Sequence, residues 1–191
     1  MTAGVSYANR GSFLEEAIQW VNQVYRGQGL ALIHKVPTPF IPVRGARGAN
    51  GRRPVVGAKV EEKAALDFLG VYAGVPVAFD TKETHRPSWP LQNLETHQAE
   101  FLRDWSRMGG IAFLLIYFAS AKPAGKLYLV PWEEVSRRLD AKRAGKGPAS
   151  IPMKDLADRP AITQGRHAAF DYLAAVDAAF PEITANKSTG R

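Results

Sequence analysis

Apolar side chains recur at helical spacing near the start of the chain and predict an amphipathic helix over residues 12–26. The side chains that share one face of this helix are Leu14, Ile18, Val21 and Tyr25. Ser12 and Glu15 stand three residues apart at its start, which is the pattern of a capping box. Glycines at positions 27 and 29 end the helix.

Runs of apolar residues predict strands farther along the chain. The predicted strands are residues 30–36, 64–72, 75–81, 111–118 and 126–130. The pair Ala73-Gly74 separates the second strand from the third and favours a tight hairpin turn. Residues 111–118 are apolar throughout, as expected for a strand that is covered on both faces of a sheet.

Three more helices are predicted, over residues 93–108, 131–144 and 171–180. Asn93 has the side chain of an N-cap, and Pro131 suits the first turn of the next helix. The order of helices and strands predicts an α/β domain with a mixed sheet. We expect residues 1–180 to form one domain and residues 181–191 to form a flexible tail.

The composition narrows the class of protein. The chain has 191 residues, of which 46% are hydrophobic, and this suits one compact domain with a sizeable core. No apolar run approaches the roughly 20 residues of a membrane span, and the first ten residues lack the apolar core of a secretory signal. The absence of cysteine excludes disulfides, thiolate catalysis and cysteine-based zinc sites. We therefore expect a cytoplasmic protein without a membrane partner.

Positive charge predominates and is concentrated in one segment. The chain has 25 Lys and Arg residues against 18 Asp and Glu residues, which gives a formal net charge of +7. This excess favours a nucleic-acid partner, and the alternative is an ordinary basic enzyme. Prolines at positions 37, 39 and 42 interrupt regular structure, and residues 43–53 then contain four arginines and no acid. Residues 55–60 suit a returning strand. We expect residues 40–63 to form a basic excursion inserted into the domain.

Two aspartates and a lysine form the most informative constellation. Asp80 and Lys82 are two residues apart on a predicted strand, so their side chains point to the same face. If this strand pairs with the preceding one as a hairpin, Asp67 can lie beside them. Carboxylate oxygens suit a divalent metal, which would polarise a phosphate and activate water, while the lysine stabilises the developing charge. The alternative is a solvated strand end with a simple ion pair.

The spacing of Asp67, Asp80 and Lys82 resembles the PD-(D/E)xK nuclease motif. The segments around it resemble those of the RecU-type Holliday-junction resolvases of Gram-positive bacteria, in the order found in that family. These segments are Tyr7-Ala8-Asn9-Arg10-Gly11, Ile33-His34-Lys35-Val36-Pro37-Thr38-Pro39, Asp67-Phe68-Leu69-Gly70-Val71-Tyr72, Phe79-Asp80-Thr81-Lys82-Glu83-Thr84 and Pro90-Leu91-Gln92-Asn93, with His97-Gln98 further on. The resemblance extends from about residue 7 to residue 180.

The resemblance implies a restriction-endonuclease-like fold, a homodimer and a Mg²⁺ cofactor, for which Mn²⁺ is a possible substitute. It assigns Asp67, Asp80 and Gln98 as metal ligands and Lys82 as the catalytic lysine. Glu15 corresponds to a family carboxylate near the site, although completing the capping box is its alternative role. The chain departs from the family twice: Asp80 stands where Glu is usual, and Ala65 replaces a hydroxyl residue two positions before the first aspartate.

The resemblance also implies how the protein meets DNA. The basic excursion would be a stalk that projects toward the centre of the junction, where it contacts phosphates without reading sequence. The predicted DNA-binding residues are Arg10, Lys35, Arg44, Arg47, Arg52, Arg53 and Lys59. A merely solvated loop is the alternative for the excursion.

The leading hypothesis is a metal-dependent endonuclease that resolves four-way DNA junctions by paired, symmetric cuts. A related nuclease acting on other branched or duplex DNA is the second hypothesis. A non-catalytic junction-binding protein is the third, and the presence of Asp67, Asp80 and Lys82 together disfavours it. A two-fold symmetric dimer suits the reaction because two cuts must be related by the two-fold axis of the junction.

Overall fold

The computed structural model describes residues 12–47, 51–60, 64–163 and 170–181 of the chain. The helices in these ranges are α1 (Ser12–Gly27), α2 (Thr96–Arg107), α3 (Trp132–Arg143) and α4 (Tyr172–Ala179). The strands are β1 (Ala31–Lys35), β2 (Phe40–Arg44), β3 (Val55–Val60), β4 (Phe68–Tyr72), β5 (Val75–Thr84), β6 (Ser88–Pro90), β7 (Ile111–Phe118), β8 (Lys126–Pro131) and β9 (Ser150–Pro152). Each predicted helix is confirmed, with ends that differ by a few residues at most.

A five-stranded mixed sheet forms the centre of the fold, in the order β1-β4-β5-β7-β8. Strands β5 and β7 run parallel, whereas every other neighbouring pair in this sheet is antiparallel. The predicted hairpin between β4 and β5 is confirmed. Ala73 and Gly74 have positive φ angles of 50° and 77°, which is the backbone of a tight type I′ turn.

Helices cover both faces of this sheet. The face toward α1 and α4 contains a stack of aromatic rings, in which Phe79 lies 5.0 Å from Phe68 and 4.7 Å from Phe113 between ring centroids. The opposite face packs Leu114 and other apolar side chains against α2 and α3. The mixed sheet with helices on both faces confirms the predicted α/β, restriction-endonuclease-like fold. Successive residues of β5 therefore face different helices, which decides where its polar side chains lie.

Strands β2 and β3 pair with each other in a separate two-stranded sheet, which we call the basic hairpin (residues 40–60). The sequence predicts only β3. Strand β2 is not predicted, because Pro42 and the neighbouring glycines and arginines interrupt the apolar pattern of a strand. The hairpin leaves apolar as well as basic side chains exposed, with Phe40 62% and Val56 65% accessible. Its position within residues 40–63 agrees with the predicted excursion, while the division into a 1–180 domain and a tail stays a prediction.

Some local features differ from the predictions. Asn93 lies in a short 3₁₀ turn, and Glu95 is the N-cap of α2 instead. The segments 88–90 and 150–152, for which no strand is predicted above, pair as the short strands β6 and β9. Trp20 is 55% exposed, whereas Trp89 is buried. Within the described residues, no helix has the length and apolar character needed to cross a membrane.

Candidate active site

The register of the β4–β5 hairpin brings the two predicted aspartates together. Phe68 is opposite Phe79, so Asp67, directly before β4, is opposite Asp80. The backbone N–H of Asp67 donates to Oδ1 of Asp80 at 3.2 Å. Asp67 is not itself within a strand, but its carbonyl accepts a hydrogen bond from the Val36 N–H at 2.8 Å. Asp67 is therefore hydrogen-bonded on both sides, to Asp80 in β5 and to Val36 directly after β1.

The carboxylate of Asp67 is oriented by the residue between Asp80 and Lys82. Oδ2 of Asp67 accepts hydrogen bonds from the Thr81 backbone N–H at 2.8 Å and from the Thr81 hydroxyl at 2.6 Å. The role of Thr81 is not predicted from the sequence. The available signal was a hydroxyl side chain in the variable position of the Asp-Thr-Lys triplet. Two donors on one oxygen leave the other oxygen of Asp67 as the one that can take a ligand.

Lys82 completes a contact with both Asp80 and helix α2. Its Nζ lies 2.5 Å from Oδ2 of Asp80 and donates to Oε1 of Gln98 at 3.0 Å. The Lys82 side chain is only 15% exposed, so most of it is shielded from solvent. The predicted convergence of Asp67, Asp80 and Lys82 is therefore present, and Gln98 joins it.

Gln98 lies beside Asp80 and Lys82 because of a capping box at the start of α2. Glu95 and Gln98 form a capping box, in which the Glu95 N–H donates to Oε1 of Gln98 at 3.2 Å. The Gln98 amide nitrogen then donates to Oδ1 of Asp80 at 3.2 Å. Nε2 of the adjacent His97 is 3.2 Å from the Ala64 carbonyl oxygen. The first turn of α2 is thereby fixed against the segment that carries Asp67. We call the group of Asp67, Asp80, Lys82 and Gln98 the carboxylate corner.

Burial controls the charge of Asp80. Its side chain is fully buried, and desolvation together with the negative charge of Asp67 raises its pKa to about 7. The nearby Lys82 ammonium acts in the opposite direction but only partly offsets these effects. The corner thus holds a carboxylate that is costly to ionise unless additional positive charge is present.

The residues of the corner fit a divalent metal. Oδ2 of Asp80 is buried and, apart from its close contact with Lys82 Nζ, has no hydrogen-bond partner of regular geometry in the described residues. Two carboxylates beside an amide oxygen supply the hard oxygen ligands that Mg²⁺ prefers. No cluster of three acidic or histidine side chains occurs in the described ranges, so the third protein ligand there would be an amide or carbonyl oxygen.

Glu15 and Lys35 pair with each other instead of joining the corner. Oε2 of Glu15 is 2.7 Å from Nζ of Lys35. Lys35 is opposite Phe68 in the register, so it lies on the face of the sheet toward α1, whereas Asp80 lies on the face toward α2. Both residues are still at the end of the sheet where Asp67 lies. The catalytic role of Glu15 and the DNA contact of Lys35 stay predictions.

The remaining predicted DNA-binding residues are concentrated in the basic hairpin. All of those that the structure describes are exposed, namely Arg44, Arg47, Arg52, Arg53 and Lys59. Arg44 donates to the Arg53 carbonyl at 3.4 Å and the Gly45 N–H to the Pro54 carbonyl at 2.8 Å, so the two strands stay joined past their ladder. Arg10 lies outside the described residues.

Comparison with known proteins points to one family. The model of the family described as recombination protein U matches residues 9–178. The chain is 35% identical over 150 residues to the Holliday junction resolvase RecU of Streptococcus gordonii, covering 78% of this chain and 72% of that protein. It is 32% identical over 174 residues to the protein of the same name from Geobacillus sp., covering 90% of this chain and 85% of that protein. It is also 32% identical over 178 residues to the protein of the same name from Leuconostoc mesenteroides, covering 92% of this chain and 84% of that protein. The fold, the carboxylate corner and these similarities lead to one conclusion: the chain belongs to the RecU family of recombination proteins.

Proposed function

We propose that this chain is a metal-dependent endonuclease that resolves four-way DNA junctions by paired, symmetric phosphodiester cuts. The observation that carries the proposal is the carboxylate corner, in which Asp67, Asp80, Lys82 and Gln98 meet at one end of the sheet. Membership of the RecU family and the name Holliday junction resolvase carried by the relatives support junction DNA as the substrate.

The proposed metal is Mg²⁺, with Mn²⁺ as a possible substitute, and its ligands are Asp67, Asp80 and Gln98. When bound, the metal polarises a phosphate oxygen and lowers the pKa of a coordinated water. The chain prepares this site by orienting Asp67 through Thr81 and by holding the buried carboxylate of Asp80 between Lys82 and Gln98. Ionised Asp80 is costly in the free protein, and added positive charge offsets that cost.

Lys82 is the proposed catalytic lysine. Hydrolysis adds negative charge to the oxygens around phosphorus, and an ammonium group in a largely buried site stabilises that charge. The contacts of Lys82 with Asp80 and Gln98 hold the ammonium group in place before substrate arrives. Its limited exposure keeps competing water away from most of the side chain.

Binding of the junction is assigned mainly to the basic hairpin, through phosphate contacts by Arg44, Arg47, Arg52, Arg53 and Lys59. Such contacts supply affinity without base readout. We assign Lys35 and Arg10 to phosphate binding as well, with Glu15 orienting Lys35 through the ion pair between them. Resolution needs two cuts, so the proposed active form is a homodimer built from domains of residues 1–180, with 181–191 as a tail.

The experiment compares a labelled four-way junction with linear duplexes of the same sequence, with and without Mg²⁺. The expected result is cutting of the junction into nicked duplexes, dependent on Mg²⁺, while the duplexes remain largely intact. Equal cutting of both substrates would favour a general nuclease of the same superfamily. Binding of the junction without cutting under Mg²⁺ or Mn²⁺ would favour a junction-binding protein and overturn the proposal.

A further inference from the structure

A polar cleft opens where β5 ends, on the face of the sheet that carries the carboxylate corner. The residues that line it are Glu83, Thr84, His85, Arg86, Pro90, Gln92 and Asn93. The cleft encloses about 460 Å³, which is room for a phosphodiester group with parts of its flanking sugars. Thr84 follows Lys82 by two residues in β5, so their side chains share a face and lie about 6.6 Å apart along the strand. The cleft therefore adjoins the corner.

The backbone of both walls of this cleft is anchored by hydrogen bonds. One wall contains Arg86, and the carbonyl of the next residue, Pro87, accepts a hydrogen bond from the Met153 N–H at 2.9 Å. In the other wall, the Leu91 N–H donates to the Ala149 carbonyl at 3.0 Å. The cleft is thus formed before a ligand arrives, so binding costs little ordering of the backbone.

Three side chains of the cleft offer hydrogen-bond donors that the protein does not use. Arg86, Gln92 and Asn93 are exposed, and none of their side chains forms a hydrogen bond or ion pair with another described residue. The guanidinium carries five N–H donors and each amide carries two. A group of donors that includes a permanent positive charge suits an anion with several acceptor oxygens.

The acid of the cleft does not face such an anion. Among the described residues that line the cleft, Glu83 is the only acid, and its Oε2 is buried. Its Oε1 lies 3.5 Å from Nε2 of His85, which is 59% exposed. A cation is disfavoured, because Arg86 would repel it and no cluster of three acidic or histidine side chains is present in the described part of the chain. The exposed chemistry of the cleft therefore favours an anion.

The location of the cleft indicates which anion it meets. One wall continues β5 beyond Lys82, and the other is the turn Leu91–Asn93, which leads into the helix that carries Gln98. Both walls are thus joined directly to elements of the carboxylate corner. A DNA strand whose scissile phosphate lies in the corner can place a nearby phosphate of the same strand in the cleft.

We propose that the cleft binds a backbone phosphate that flanks the one to be cut. Arg86 donates hydrogen bonds to its oxygens, and the amides of Gln92 and Asn93 donate to it as well. The inference rests on the proposed nuclease function and adds a second point of attachment that aligns the cut strand with Lys82. The basic hairpin is assigned to binding the junction, whereas this cleft is assigned to holding the register of the strand that is cut.

The test uses a set of four-way junctions in which one phosphate near the cut is replaced by an uncharged methylphosphonate, incubated with Mg²⁺ under single-turnover conditions. At one flanking position, the replacement should slow cleavage by the parent about 10- to 150-fold, the effect of losing hydrogen bonds to a charged group. Arg86→Ala should cut the unmodified junction more slowly by a similar factor. The same methylphosphonate should slow Arg86→Ala by less than about twofold further, because the contact is already absent.

Three further variants sharpen this test. Arg86→Lys keeps the charge but loses the fork of donors, so it should recover part of the parental rate. Asn93→Ala should reduce the parental sensitivity to the methylphosphonate at the same flanking position and at no other. Arg107→Ala, at an exposed position in the last turn of α2, is the matched control and should keep both the parental rate and the parental sensitivity.

The outcomes separate this inference from the proposed function. If the effects of Arg86→Ala and of the methylphosphonate multiply at every position, Arg86 contacts none of these phosphates and the inference is overturned. A parent that tolerates a methylphosphonate at each flanking position would also overturn it and leave the proposed function intact. A parent that cuts no junction would overturn the proposed function and this inference with it.

Discussion

The carboxylate corner and the basic hairpin place charge in opposite environments. In the corner, Asp80 is fully buried and each charged group has a neighbour fixed by the sheet or by α2. In the hairpin, the arginines are exposed, and β2 and β3 pair with no strand of the main sheet. A rigid, desolvated site suits bond cleavage, because small displacements of the reacting groups are costly. A solvated hairpin suits contact with phosphates of variable geometry.

The first prediction compares the loss of an aromatic ring from the main sheet, which carries the corner, with the loss of a ring from the hairpin. Phe79→Ala should lower the free energy of unfolding by about 3–5 kcal/mol, because Phe79 is fully buried between two other rings. Phe40→Ala in the hairpin should lower it by about 0.5 kcal/mol or less, because Phe40 is 62% exposed. Denaturant unfolding followed by circular dichroism measures both values. Similar losses for the two variants would mean that the hairpin packs as part of the core.

The second prediction separates catalysis from binding within the corner. Lys82→Ala should reduce junction cleavage by about 10²–10³, the usual effect of losing one well-placed electrostatic group. Its affinity for junction DNA should stay within about twofold of the parent, because the exposed arginines are unchanged. Single-turnover cleavage and gel-shift titration supply the two measurements. Lys154→Ala, at an exposed position on the 3₁₀ turn Met153–Leu156, is the control. Parental cleavage by Lys82→Ala would show that the catalytic lysine is assigned wrongly.

The third prediction tests whether the arginines of the basic hairpin bind junction DNA. Replacing Arg44, Arg47, Arg52 and Arg53 by Ala should weaken junction binding by about 10- to 100-fold at physiological salt. Each lost phosphate contact should also reduce the slope of log affinity against log salt by about 0.9. The fold should survive, because these side chains are exposed.

The control for the hairpin variant replaces the basic residues Arg137, Lys142 and Arg143 of α3. If the hairpin enters the centre of the junction, its variant should lose more affinity for junction than for linear duplex, and the α3 variant should lose both to a similar extent. Equal losses of junction and duplex binding in the hairpin variant would mean that the arginines act as a general electrostatic patch. Unchanged binding would leave the hairpin as a solvated excursion.

The fourth prediction concerns the stability cost of charge in the corner. The pKa of Asp80 is about 7 in the folded protein against an ordinary value of 3.8, so between these values the folded state binds more protons than the unfolded state. The contribution of Asp80 to stability is therefore complete below about pH 4 and is lost as the pH rises toward and through 7. Without divalent metal, Asp80→Asn should not show this loss. At pH 8 its free energy of unfolding should exceed that of the parent by about 4 kcal/mol, since one pKa unit corresponds to about 1.4 kcal/mol.

Thermal and denaturant unfolding between pH 4 and pH 8 measure the difference between Asp80→Asn and the parent. Asp140→Asn, an exposed residue of α3, is the control and should follow the parental pH profile. Added Mg²⁺ should reduce the advantage of Asp80→Asn, because the metal stabilises the ionised carboxylate of the parent. Parallel pH profiles for the parent and Asp80→Asn would contradict the assigned charge state.

Much of the local structure could be predicted from the amino-acid sequence. Helical spacing in residues 12–26, the apolar run 111–118 and the turn at Ala73-Gly74 each predict an element that is present. These signals act between residues that are close along the chain, so periodicity and turn chemistry suffice to read them. The motif of Asp67, Asp80 and Lys82 and the basic segment are likewise visible in the sequence, since residue type and spacing define them.

Which of these side chains meet depends on tertiary packing. Gln98 joins Asp80 because the capping box of α2 is held against the sheet, and Thr81 orients Asp67 across the hairpin. Glu15 is drawn instead to Lys35 on the other face of the sheet. Such contacts depend on strand register and on how helices pack, and a shift of one residue along a strand would move each side chain to the opposite face. Residue spacing alone carries no information about that packing.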